Sequence, residues 1–261
     1  MTQRPRIPER NAHPCFEIRP GVIFPDWGKV RSDTAAWAIS HIFKTIGVER
    51  RWRGYNERHD QVRTAILAGF AKTGLAPSLT QLAETTGLAL DAIQRVLQEL
   101  KTRDLVVLDS TGNRVIGAYP FTEKEIGHRV RLNKGWVNAL CAVDALGIGG
   151  MVGSDTVIQS VCRQCQAPIR IETTNQGADL TSYDPPSAVV WIGDWYADGC
   201  GATSLCTTIA FFCSDGHLGQ WRASARRGTG GRRLSMEEAH QVGLAIFSPM
   251  LAPAWRSLTQ A

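Results

Sequence analysis

The sequence predicts an α+β protein in which a three-helix, winged-helix-like N-terminal part packs on a second part, a mixed or antiparallel sheet with flanking helices. Apolar residues recur at helical spacing through the first half, and short β-branched runs follow one another with few helices between them in the second. The rhythm changes near Phe121. A hydrophobic share of 43% against 20% charged excludes a disordered or fibrous chain. The net charge of +5 is spread along the chain and is small for a dedicated nucleic-acid binder.

Residues 1–30 are rich in proline and read as a tail or an extended wrap over the body. Arg4, Arg6 and Arg10 are followed by no apolar run, so no secretory signal is expected and the protein is placed in the cytoplasm. Residues 31–120 form the helical, winged-helix-like domain. Its helices are expected at Asp33 to Ile46 and at Glu57 to Lys72, where Val62, Ile66, Leu67 and Phe70 share one face and Gly74 with Pro77 ends the run. Ser78 to Gly87 and Asp91 to Arg103 then have the rhythm of a helix-turn-helix, with Gly87 at the turn and Asp91 able to cap the second helix. Leu105 to Leu108 and Val115 to Tyr119, around a Ser-Thr-Gly-Asn turn, complete a wing. The second helix offers only Gln94, Arg95, Gln98 and Lys101 as polar reach, offset by Asp91 and Glu99, so a scaffold without DNA contact is favoured over DNA recognition.

Residues 121–261 form the second, α/β domain. A helix is expected from Lys134 to Leu146, with strands at Thr156 to Val161, Pro168 to Thr174, Ala188 to Ile192 and Cys206 to Phe212. Ser235-Met236-Glu237-Glu238 is a capping box opening a last helix toward Phe247. Arg222 to Arg233 reads as a solvated loop. The apolar stretch Val137 to Gly153 is too short to span a membrane and contains Asn138 and Asp144.

Seven cysteines in a chain without an export signal point to metal, redox or nucleophilic chemistry rather than a disulfide framework. Cys141 and Asp144 stand three apart in a helical segment and so share a face; either alone also suits a core position, but a carboxylate in an apolar run must be paired or desolvated at a cost. Cys162 and Cys165 have the spacing of half a zinc site or of a redox pair. A second half is not evident: Cys200 and Cys206 are badly spaced, and Cys213 with His217 is a loose match.

Asn138 to Leu146, Ser160-Val161-Cys162 leading to Ala167-Pro168, and Ser204-Leu205-Cys206 leading to Phe211-Phe212 resemble, in order and approximate spacing, the three signature blocks of the bacterial organomercurial (alkylmercury) lyases. The resemblance runs from about Ser78 to Phe247 and includes the helix-turn-helix-like part, which in that family is an appendage that does not bind DNA. It implies that 121–261 is the catalytic lyase domain. Cys141 and Cys206 match the family's two mercury-binding catalytic thiols, Asp144 its proton-handling carboxylate and metal neighbour, and Cys162 its buried structural cysteine. Departures are the longer N-terminus, the additional Cys165, Cys200 and Cys213, and Thr207 where relatives can carry a further cysteine.

The chemistry suits these residue types. Mercury is a soft cation that prefers thiolates, so two cysteines brought together from separate elements make a low-coordinate site for R–Hg+. The second thiol binds as its proton passes to Asp144, which then protonates the departing carbon as general acid. The products are R–H and Hg(II) on two thiolates, with no organic cofactor, excess small thiol for turnover, and cytosolic thiols or a mercuric reductase as recipients. Neither nucleic acid nor membrane is expected as a partner. Two other readings stay open: a cytoplasmic winged-helix regulator that senses a thiophilic metal, and a non-catalytic metal-binding relative of the lyase.

Overall fold

The computed structural model describes residues 14–133 and 135–258, with side chains to Leu251. Expectations for 1–13, for Lys134 and for 259–261 lie outside the described residues. The N-terminal elements are β1 (Phe16–Arg19), β2 (Val22–Phe24), α1 (Asp33–Ile46), α2 (Val48–Arg51), α3 (Glu57–Thr73), α4 (Leu79–Thr86) and α5 (Leu90–Thr102). Strands β3 (Val106–Leu108), β4 (Val115–Ala118), β5 (Phe121–Thr122), β6 (Arg129–Leu132) and β7 (Gly135–Ala139) lead to α6 (Ala142–Val152). Then come β8 (Thr156–Val161), β9 (Pro168–Thr174), β10 (Asp179–Asp184), β11 (Val189–Gly193) and β12 (Ile209–Phe212). The chain closes with α7 (Asp215–Ser224), β13 (Gly231–Leu234) and α8 (Met236–Leu258).

Local chemistry sets the helix limits. Ser32, Asn56 and Ser78 cap α1, α3 and α4 with side-chain oxygens, and Gly47, Gly74 and Gly87 end them in the left-handed conformation that glycine adopts without a Cβ clash. The exception is α5. Ala89 stands at its N-cap without a side-chain bond, and Asp91 lies inside the first turn, where it pairs with Arg95 at 2.7 Å instead of capping. On α5, Gln98 donates to the Gly112 carbonyl of the wing turn and Glu99 meets His59. The wing is not a separate hairpin: β3, at the edge, and β4 beside it continue an eight-stranded antiparallel sheet ordered β10-β9-β8-β6-β7-β5-β4-β3. A second antiparallel sheet has the order β12-β11-β13.

Residues Phe16 to Phe24 form a hairpin laid over the helices, with Ile18, Val22 and Phe24 buried. The Phe24 ring stacks on Trp52 at 4.8 Å, Arg19 pairs with Asp60, and the Asp26 N–H donates to the Ala245 carbonyl of α8. Apart from Asp144 the α6 helix is apolar all round, and it is buried from Ala142 to Gly149, as a helix at the centre of a fold must be. It packs on β6, β7 and β8 of the large sheet, on β12 of the small one, and on α8. Its glycines permit this approach. A Cβ on Gly147 would stand 2.6 Å from the Gly243 carbonyl, and one on Gly150 would stand 2.3 Å from Leu244.

Three expectations are corrected. The helix expected from Lys134 to Leu146 is strand β7 followed by α6: Val137 and Ala139 face inward in alternation, β7 pairs with β6 and β5 on its two sides, and helix begins only after Cys141. Cys206 to Phe212 is a 3-10 turn, Leu205–Thr208, before strand β12. Thr207 and Thr208 hydroxyls donate back to the Ser204 and Leu205 carbonyls, which closes a tight turn where the β-branched run had suggested strand. Arg222 to Arg233 spans the end of α7, a connection, and β13; Arg222, Arg227 and Arg232 stack on Trp191, Trp195 and Trp37 rather than pointing freely to solvent.

Candidate active site

Strand β7 delivers the chain to Cys141, whose extended backbone makes it the N-cap of α6. Its sulfur accepts the Asp144 N–H at 3.5 Å, as a serine oxygen does at an ordinary cap. This location at the positive end of a helix lends the sulfur some stabilisation as a thiolate, an effect that burial outweighs. Asp144 lies within the first turn, so its carboxyl returns toward the cap. Cys206 reaches the same point from the 3-10 turn before β12. The three ligand atoms lie within 4.8 Å of one another, and the Cys206 thiol donates to Asp144 Oδ2 at 3.8 Å. Cys141, Asp144 and Cys206 are 2%, 3% and 8% exposed, so their charges are decided by each other rather than by water.

Burial pushes the Asp144 carboxyl up to about 7, against the lowering effect of hydrogen bonds from both thiols and from the Cys141 N–H. Burial likewise raises the Cys141 thiol to about 11, with Asp144 adding to the shift. Cys206 is held well above the ordinary thiol range, first by its hydrogen bond to Cys141 and then by burial. At neutral pH the resting site therefore holds two neutral thiols beside a carboxyl poised between its two forms.

A cavity of about 90 Å³ opens onto the three groups. Its other walls are mostly apolar and come from distant parts of the chain, among them Phe24 of the hairpin, Phe43 of α1, Trp52 and Phe247 of α8, with Arg63, Asp104 and Tyr119 also lining it. A larger cavity of about 650 Å³ touches Cys206 from the side of Lys124 and His128 but does not reach Cys141 or Asp144. The small cavity is therefore where a molecule could meet all three.

One group that sequence reasoning missed holds the Cys206 segment. Asp104, buried just past α5, accepts from the Tyr119 hydroxyl, the Tyr196 hydroxyl and the Gly201 N–H, each at 2.9 Å. Tyr119 in turn accepts the Ala202 N–H at 2.7 Å. A Cβ on Gly201 would stand 3.0 Å from the Tyr119 hydroxyl, so the segment lies flat on this pair. Burial raises the Asp104 carboxyl, and its three donors oppose the shift.

The remaining cysteines divide. Cys162 is fully buried, and its sulfur together with Cys165, Cys213 and His217 forms a second group whose ligand atoms lie within 4.8 Å. The second half that sequence spacing did not reveal is thus Cys213 and His217, brought beside Cys162 and Cys165 by the meeting of the two sheets. Cys15 is exposed, Cys200 is half-buried, and neither belongs to these two clusters.

Residues 121–248 match the family model of the alkylmercury lyases, MerB. A search of curated protein sequences gives no match. Among solved structures, the mercury-bound form of MerB2 shares the fold with a TM-score of 0.66 at 20% identity, over 78% of this chain and 96% of that one. Among the described residues no helix is long and apolar enough to cross a membrane. Through residues 121–248 the chain is similar to the alkylmercury lyase family.

Proposed function

We propose that this chain cleaves the carbon–mercury bond of organomercurials, releasing R–H and keeping Hg(II) on Cys141 and Cys206. The observation that carries this reading is the convergence of two thiols and a proton-holding carboxyl on one small, mostly apolar cavity. A soft thiophilic cation with a hydrocarbon substituent suits both halves of that pocket.

The substrate arrives as R–Hg–SR′. Cys141, at the α6 N-terminus, exchanges with the small thiol, which leaves as R′SH. Cys206 then gives its proton to Asp144 and binds mercury as a thiolate. With two thiolates on the metal the carbon carries more negative charge, and protonated Asp144 delivers its proton to that carbon. One cysteine proton leaves on R′SH and the other on R–H, so the step balances without an oxidant or an organic cofactor. Cytosolic thiols, or a mercuric reductase, would then take the Hg(II), which suits a cytoplasmic enzyme of mercury resistance.

Asp144→Asn tests the central step, because an amide has the carboxyl's shape but cannot relay a proton at neutral pH. In a single turnover with phenylmercury, benzene release should fall by about 100-fold or more, the usual scale for a positioned acid, while Hg(II) binding persists. Wild-type cleavage by this variant would remove the carboxyl from the mechanism. No cleavage by the wild-type protein, with excess small thiol present, would remove the activity itself.

A further inference from the structure

The second cysteine cluster lies where the two sheets meet. Cys162 and Cys165 occupy the turn between β8 and β9 of the large sheet, while Cys213 follows β12 of the small sheet and His217 lies in the first turn of α7. We propose that Cys162, Cys165, Cys213 and His217 bind one zinc ion as a closed structural site that fastens the β8–β9 turn to the β12–α7 junction.

The distances suit a tetrahedral ion. With zinc–sulfur bonds of about 2.3 Å and a zinc–nitrogen bond of about 2.05 Å, sulfur–sulfur edges are about 3.8 Å and sulfur–nitrogen edges about 3.5 Å. The Cys165 and Cys213 sulfurs are 3.7 Å apart, and Cys162 Sγ lies 3.9 Å from His217 Nδ1. The edge from Cys213 Sγ to His217 Nδ1, at 2.8 Å, is too short and must open, which a rotation of the half-exposed imidazole allows, and the other edges lie within 4.8 Å.

The backbone is shaped for the same task. The N–H groups of Gln164, Cys165 and Cys213 point at the Cys162 sulfur, an arrangement that stabilises a metal-bound thiolate. Gln166, just after the second cysteine, holds a left-handed conformation at φ 61°, which folds the Cys-x-x-Cys turn back around its sulfurs. Supporting bonds fix both halves: the Arg163 N–H donates to the Phe211 carbonyl at 2.9 Å, and the Ser187 hydroxyl donates to the Cys213 carbonyl at 2.7 Å. Three thiolates and one imidazole select a soft or borderline ion. Four protein ligands leave no open position, which marks a structural rather than a catalytic zinc. Because β12 continues directly from the turn that bears Cys206, fastening its far end steadies the element that carries this thiol.

Full-length protein purified without chelators, its metal measured by mass spectrometry, should carry about one zinc per chain. Cobalt substitution should give the visible absorption of tetrahedral thiolate-bound Co(II). Cys165→Ser and His217→Ala, at positions that are not buried, should fold and lose both the zinc and the cobalt spectrum, whereas Cys141→Ser and Cys206→Ser should keep them. Zinc lost from the Cys141 and Cys206 variants but retained by the Cys165 and His217 variants would move the ion to the first cluster and overturn the proposal. So would protein that holds no zinc after dialysis against it, or a Cys165–Cys213 disulfide formed in its presence.

Discussion

Cys206 and Asp144 are 62 positions apart in sequence, yet the thiol of one donates to the carboxylate of the other across 3.8 Å. Their proton affinities are ordered as the proposed transfer requires. The thiol keeps its proton in the resting site, and the carboxyl, at about 7, is the first of the three groups to ionise. In the proposed reaction, a metal that withdraws electrons from sulfur would drop the thiol below the carboxyl and drive the proton across.

This ordering predicts a pH profile. Below about pH 7 Asp144 is already protonated and cannot accept from Cys206, so kcat/KM should rise about tenfold per pH unit and level off above the Asp144 value. The plateau should persist until the thiols themselves ionise, near 11 for Cys141. In Asp144→Asn the residual rate should show no step near 7. A wild-type profile that is flat from about pH 5 to 8 would assign the proton to another group.

The same burial makes Asp144 a stability liability. Its carboxyl holds a proton in the folded state up to about 7 and in the unfolded chain only up to about 4. Folding therefore loses stability as pH rises between those values and loses no more from this group above them, for a total of about 4 kcal/mol. Urea denaturation at about pH 5 and about pH 8 should show the wild type weakening, with Asp144→Asn gaining relative to it at the higher pH. Equal stability of the two proteins at the higher pH would mean that the carboxyl is better solvated than its burial implies.

The legible part of this molecule was its local periodicity. The helix positions of Asp33 to Ile46 and Glu57 to Lys72, and the strands Thr156 to Val161 and Pro168 to Thr174, follow from apolar spacing that tertiary contacts reinforce. Cys141 and Asp144 could be paired because three residues on a helix return to one face, although β7 precedes that helix where more helix was expected. The alternation of Arg129 to Leu132 is clear in the burial pattern but too short to stand out in sequence, and Asp179 to Asp184 is an exposed edge strand without an apolar face. Asp104 gave no signal at all: it is one acidic residue after a helix, and its importance arises from two tyrosines and a backbone N–H gathered from elsewhere. Cys213 and His217 join Cys162 and Cys165 only because two sheets converge, which spacing cannot express.

Asp104 should matter to both fold and site. Asp104→Ala leaves the Tyr119 and Tyr196 hydroxyls and the Gly201 N–H without their acceptor, at about 1–3 kcal/mol for each group that stays buried and unpaired. We expect a lower melting temperature and, in the folded fraction, weaker Hg(II) binding, because the segment that positions Cys206 is loosened. Phe substitution at Tyr196, the more exposed partner, removes one of the three bonds and should show a smaller loss of the same kind. A variant at Asp104 with wild-type melting and mercury affinity would show that the Cys206 turn is held by its own threonine bonds.

The last prediction concerns the contact between α6 and α8. Because α6 bears the N-cap thiol and the carboxyl, its height above the large sheet sets where both point, and that height is limited by Gly147 against Gly243. A Cβ on Gly147 would meet Phe247 at 2.5 Å and the Gly243 carbonyl at 2.6 Å, and one on Gly243 would meet the Gly147 N at 2.8 Å. The obstacles include backbone, which cannot swing aside as a flexible side chain can, so the helices must separate. Ala has the better helix propensity, worth about 1 kcal/mol in its favour, but overpacking of a tight core costs about 1–3 kcal/mol. The second effect should win, so Gly147→Ala and Gly243→Ala should each lower stability in equilibrium denaturation. Turnover should fall by more than the lost folded fraction explains, since Phe247 lines the small cavity and moves with α8. If either variant is instead more stable and fully active, the helices are free to slide, and the geometry at Cys141 and Asp144 does not depend on their separation.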